Sequence, residues 1–105
     1  MKTSELTGAA LDWAVAKCEG LAKYIEVVEG FKPSTDWVQG GAIIEREKIE
    51  LEWGGNGGNE NWWACINADE DHSGETPLIA AMRCYVASKL GDDVTVPEEL
   101  QGETA

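Results

Sequence analysis

Apolar residues recur at helical spacing in two stretches of the chain and alternate in a third. Leu11, Ala14, Val15 and Cys18 fall at i, i+3, i+4 and i+7. That is one face of a helix predicted from about Gly8 to Glu19, opened by Thr7 as cap and closed by Gly20. Trp13 lies nearly opposite this stripe, which points to a core or interface position for it. The second helix has both ends written in. Thr76 can accept a hydrogen bond at the N-cap, and Pro77 fits the first helical position. Lys89 suits the dipole of the last turn, and Gly91 supplies the left-handed stop. Between these ends only Arg83, Ser88 and Lys89 are clearly polar. A helix apolar on more than one side must be buried by several neighbours, so the rest of the chain is expected to pack around it.

Strict alternation marks Lys48–Trp53, which places Ile49, Leu51 and Trp53 on one face of a strand. The Gly/Asn run 54–59 reads as a hairpin tip, and Asn61–Ile66 as the returning strand. Trp62 and Trp63 are adjacent there. A strand therefore points them to opposite faces, one to the core and one to solvent or an interface. The segment 21–28 fits either a helix or a strand and is taken as a short strand or irregular stretch. Residues 29–41 are punctuated by Gly30, Pro33, Gly40 and Gly41, with Asp36 placed to cap one short helical turn. Ile43 and Ile44 fit a third strand or a helical turn. An acidic loop spans 68–75, and an acidic tail spans 92–105, with Val94, Val96 and Leu100 against the body and a loose end. The expected fold is α+β: a single small domain over 1–105, two helices packed on a short antiparallel sheet.

Composition narrows the function classes. A chain of 105 residues makes one modest core. No apolar run approaches the roughly 20 residues needed to cross a bilayer, and no signal-peptide pattern opens the chain, so no membrane role is expected. The net charge of −12 argues against direct binding of nucleic acid, which needs a basic footprint. It suits either solubility alone or an acidic surface that meets a basic partner, at the extreme a mimic of the DNA phosphate rail. Cys18, Cys65 and Cys84 are odd in number, widely spaced and set among apolar residues. Buried reduced thiols of a cytosolic protein are expected, not a disulfide framework or a zinc site.

Candidate chemistry is sparse. The Gly/Asn run lacks the Lys-Ser/Thr ending of a phosphate loop, and as a flexible tip it suits closure over a ligand. Asp69-Glu70-Asp71-His72 lacks calcium-loop spacing and reads as a solvated loop. His72 is the sole histidine and has no nucleophile assigned to it, so no catalytic residue, metal site or cofactor is expected. The candidate ligand-binding residues are Ser34, Thr35 and Asp36 beside Trp37, the pair Trp62 and Trp63, Thr76 and Arg83. Five tryptophans in so short a chain supply either core or stacking walls. Thr76 stands at a helix N-terminus whose open N–H groups suit an anion. Arg83 has two readings: an ion pair with one of the acids, or a hold on a ligand phosphate or carboxylate.

Three stretches carry a resemblance. They are Lys2-Thr3-Ser4-Glu5-Leu6-Thr7-Gly8 with Ala10 to Ala16, Pro33-Ser34-Thr35-Asp36-Trp37 running into Gln39 to Arg46, and Thr76 to Asp92. Together they resemble the small NinX-like phage proteins of the lambdoid group, over most of the chain except 54–75. The motifs identify the family and not an activity. The resemblance implies a phage or prophage accessory protein in the host bacterial cytoplasm. Such proteins often interfere with host defence, by sequestering a signalling nucleotide or by occupying a host protein. Two expectations follow. The first is a non-enzymatic homo-oligomer that binds a small nucleotide-like ligand through the candidate residues. The alternative is an acidic protein-binding inhibitor of a basic host protein, acting through the loop and the tail.

Overall fold

The computed structural model describes residues 1–21, 30–54, 60–67 and 70–101. The undecided stretch 22–28, the glycine-rich tip 55–59 and the end of the tail lie outside them. A 3-10 turn, Thr3–Glu5, precedes helices α1 (Gly8–Cys18) and α2 (Trp37–Glu47). Strands β1 (Glu50–Gly54), β2 (Asn61–Cys65) and β3 (His72–Gly74) follow, then α3 (Pro77–Leu90) and a short α4 (Glu98–Gln101). The fold is a small α+β structure with an antiparallel sheet ordered β1-β2-β3.

α3 is the expected organising helix. Thr76 Oγ1 accepts from the Ile79 amide at 3.1 Å, Pro77 follows it, and Gly91 ends the helix at φ 85°. Ala80, Ala81, Met82, Cys84, Tyr85 and Val86 are all buried, so most of its circumference is covered. It touches all three strands on one side and α1, α2 and the N-terminal turn on the others. Two helices were expected on the sheet. Among the described helices α3 makes the extensive contact with it, and α1 and α2 pack chiefly against α3. Trp13 belongs to the core, as its place opposite the α1 stripe suggested.

Two elements depart from the expectation. The stretch read as a loop with one helical turn holds the eleven-residue helix α2. Its cap is legible, since Asp36 Oδ1 accepts from the Val38 amide at 3.0 Å. Its body is masked by Gly40 and Gly41, each costing about 1 kcal/mol of helix propensity. Gly40 is needed for another reason: a Cβ there would strike the Pro33 carbonyl oxygen and the Leu78 side chain. That close approach lets Ile43 into the core, which resolves Ile43 and Ile44 as helical. The second departure is β3, inside the stretch read as an acidic loop. His72-Ser73-Gly74 has no strand pattern. It pairs with β2 because Gly74 lies flat on α3, where a Cβ would meet the Ala80 amide and the Ile79 side chain.

Two tethers close the structure. After α3 the chain runs back along the N-terminus. The Thr3 amide donates to Asp92 O at 2.8 Å, the Thr3 hydroxyl to Gly91 O at 2.7 Å, and the Val94 amide to Met1 O at 2.8 Å. Val94 and Val96 enter the core beyond it. On the other side Arg46 of α2 grips Glu19, just past α1, with two bonds of 2.9 and 2.8 Å. Tyr85 of α3 donates its hydroxyl to the same carboxylate. Cys84 is buried, whereas Cys18 and Cys65 are only half-buried. Burial pushes the Cys18 thiol up to about 11, with Glu19 adding to the effect.

Two measurements test this packing. Gly40→Ala and Gly74→Ala should each cost about 1–3 kcal/mol in urea unfolding, because the neighbours they strike include backbone. The Arg46 and Tyr85 bonds hold the Glu19 carboxyl below its ordinary 4.5. Its contribution is therefore complete above that value and is lost as pH falls through the lower folded one. Glu19→Gln should lower the urea midpoint at neutral pH and flatten the acid limb of stability between about pH 5 and 3. Parallel acid limbs for parent and variant would remove Glu19 from the tether.

Candidate functional site

Arg83 stands in the middle of α3, where the helix passes between the N-terminal turn and the β3 edge. Its Nε donates to Leu6 O at 2.8 Å and its Nη1 to Ser73 O at 2.9 Å. Neither sequence reading of this residue anticipated such a bridge. Among the described residues no carboxylate stands within ion-pair distance of it. Burial works against its charge, and the more distant Glu75 supports it. Around it opens a cavity of about 320 Å³. Lys2, Thr3 and Ser4 form one wall, His72 and Ser73 another, and Trp63 a third. Glu70, Asp71, Asp92 and Asp93 complete the lining with carboxylates.

The sheet register explains how Trp63 reaches this cavity. Leu51 pairs with Ala64 and then His72, and Trp53 with Trp62 and then Gly74. Directly opposed residues share a face, so this set lies on the α3 side of the sheet, where Ala64 is buried but Trp53, expected inward, stays 56% exposed. Trp62 packs on the core, and its ring lies 5.4 Å from that of Trp53. The opposite face carries Glu50 with Cys65, and Glu52 with Trp63 and Ser73. The Cys65 thiol donates to Glu50 at 3.2 Å. Trp63 Nε1 donates to Gly54 O at 3.0 Å, which fixes the ring across the strands. A second cavity of about 280 Å³ opens here over Glu50, Glu52, Trp63, Cys65 and Asp71. The two cavities adjoin at Trp63 and Asp71, which line both, and are described together as the sheet groove.

The candidate residues are thus divided. Trp63 and Arg83 line one cavity. Thr76 spends its hydroxyl on the α3 cap, and Asp36 caps α2 and takes a further bond from Gln39 at 2.9 Å. Ser34 is buried, with its amide donating to Asp12 Oδ1 at 2.9 Å. Burial raises the Asp12 carboxyl, and Ser34 works against that shift. The Ser34 hydroxyl and Trp13 Nε1 are buried without a hydrogen-bond partner among the described residues. Thr35 is exposed and bonds Lys32 O at 3.4 Å. Trp37 is 55% exposed at the start of α2, beside Val38 at 83%.

Sequence reasoning named the acidic loop and tail, which supply Glu70, Asp71, Asp92 and Asp93, but missed Glu50 and Glu52 beside them. One signal was present, since the alternation that put Leu51 and Trp53 inward also put Glu50 and Glu52 outward together. Their meeting with Trp63, Asp71 and Asp92 depends on strand register and on the return of the chain past α3. Among the described residues no group of three His, Cys, Asp or Glu side chains is arranged to hold a metal ion.

These features define a class, a small and strongly acidic α+β protein with an aromatic-floored groove on its sheet. More specifically, the chain belongs to the family described as Bacteriophage P22, NinX, whose family model matches residues 2–89. The match takes in the sheet, Trp63 and Arg83, and ends before Asp92 and Asp93. No curated protein matches the chain. No helix among the described residues is long and apolar enough to cross a membrane.

Arg83→Met should cost about 1.5–3 kcal/mol in urea unfolding, the range for bonds from a charged donor. Arg83→Lys should recover only part of that, since one ammonium cannot reproduce the planar fork. Full stability of the methionine variant would mean that the guanidinium is not a structural bridge.

Proposed function

We propose that this phage protein acts without catalysis in the cytoplasm of the infected host, by binding a host component in the sheet groove, and that a basic protein fits the groove best. One observation carries the choice. Six carboxylates line the adjoining cavities (Glu50, Glu52, Glu70, Asp71, Asp92 and Asp93), against Lys2 and Arg83 as cations. Arg83 also has two of its donor nitrogens turned onto backbone carbonyls. A polyanion entering here meets like charge, whereas a basic surface meets complementary charge that speeds its approach and fixes its orientation.

The nucleotide reading keeps one supporting observation, that an aromatic ring and an arginine share a cavity of ligand size. The homo-oligomer expected with it finds support in the exposed Trp37 and Val38.

Affinity capture of host proteins at rising potassium chloride separates the two readings. Under the first, a partner is retained at low salt, released steeply as salt rises, and lost by the Glu50→Gln, Glu52→Gln, Asp71→Asn variant. Equal recovery by parent and variant would overturn it. Native mass spectrometry of protein from infected cells gives the converse result. A stoichiometric nucleotide released on denaturation from a defined oligomer would establish the second reading.

A further inference from the structure

The outer face of the sheet is uncovered by any described helix, and its centre is an aromatic ring without a cation. Two other large aromatics of the chain do have cations beside them. Lys17 stands 5.4 Å from the Trp13 ring, and Arg46 and Lys89 stand 5.7 and 6.0 Å from Tyr85. Among the described residues Trp63 has no such neighbour. Its ring is nevertheless held in place by its bond to Gly54 O. Glu52 is its direct cross-strand partner, and Asp71 lines both of the cavities that Trp63 lines. None of the ion pairs seen among the described residues involves Glu52, Asp71 or Asp92.

We infer that this face docks an extended basic segment of a partner protein, with one lysine or arginine seated on the Trp63 ring between Glu52 and Asp71. The inference rests on the protein-binding reading above and names the form of the partner. A cation over an indole face is attracted by the ring quadrupole, and flanking carboxylates add a directional ionic component. The acids are spread along the groove, from Glu50 and Glu52 on β1 past Asp71 to Asp92, instead of converging on one point. A single small cation cannot engage such a row. A chain crossing three strands about 4.8 Å apart, then the N-terminal wall, needs roughly four to six residues at about 3.3 Å each. Several of its side chains then meet carboxylates in turn.

The test uses the full chain and a fluorescein-labelled decapeptide of alternating lysine and serine, followed by anisotropy, with spermidine as the compact polycation. The peptide should bind at low salt and weaken steeply toward about 0.5 M salt, as exposed charge pairs are screened. Trp63→Leu should weaken it about 5- to 20-fold and Trp63→Phe less, in keeping with the order of ring strengths. Glu52→Gln and Asp71→Asn should each cost a few-fold at low salt and little at high salt.

Equal binding by parent and Trp63→Leu would overturn the ring seat and leave the basic-partner reading standing. Absence of peptide binding at low salt would overturn both. Spermidine binding as tightly as the peptide would replace the extended segment with a polyamine. Should the leucine variant fail to fold by circular dichroism, Trp63→Phe and Glu52→Gln decide the matter.

Discussion

A helix with almost no circumference left for solvent imposes its terms on everything around it. α3 is such a helix, and side chains that touch it are limited by how closely their own backbones must approach. The glycines at 40 and 74 follow from that limit. One lets α2 and its leading loop close on Leu78, and the other lets a three-residue strand lie directly on the helix. The same burial leaves the long polar side chain of Arg83 one outlet, toward the backbone carbonyls at the rim. The residue that looks most like a ligand hook is thereby also a structural bridge.

Because α3 covers one face of the sheet and no described helix covers the other, the pleat sorts the chain into two chemistries. Leu51, Ala64 and Trp62 go to the helix side, and Glu50, Glu52 and Trp63 go outward. Adjacent tryptophans on β2 therefore play different parts from identical side chains. The return of the chain past α3 then adds Asp92 and Asp93 to the outward set. Six of the chain's 20 acidic residues gather where an ordered aromatic ring stands.

What could be read in advance was whatever local rules decide. The ends of α3, the face of α1, the alternation of β1 and the division of Trp62 from Trp63 all depend on neighbours within a few residues. What could not be read depends on partners far along the chain. α2 was hidden because its glycines answer a close contact with Pro33 and Leu78, while local propensity argues against helix there. β3 was hidden because backbone proximity makes it a strand and side-chain pattern does not. The candidate residues were chosen by chemical type, and type alone cannot show that Asp36 and Thr76 are occupied as caps. Trp63 and Arg83 do meet, in surroundings more acidic than residue type suggested.

The tether between the two ends of the chain also orders events in time. The Thr3 hydroxyl bonds a carbonyl 88 residues later. At synthesis rates of about 5–20 residues per second, the N-terminal segment waits some 4–18 s on the ribosome for that partner to be made. The wall of Lys2, Thr3, Asp92 and Asp93 thus forms only after α3 has been made. A chain cut short before Asp92 lacks α4, the core side chains of Val94 and Val96, and a side of the groove. The groove is in effect closed only once the residues that follow α3 have been made.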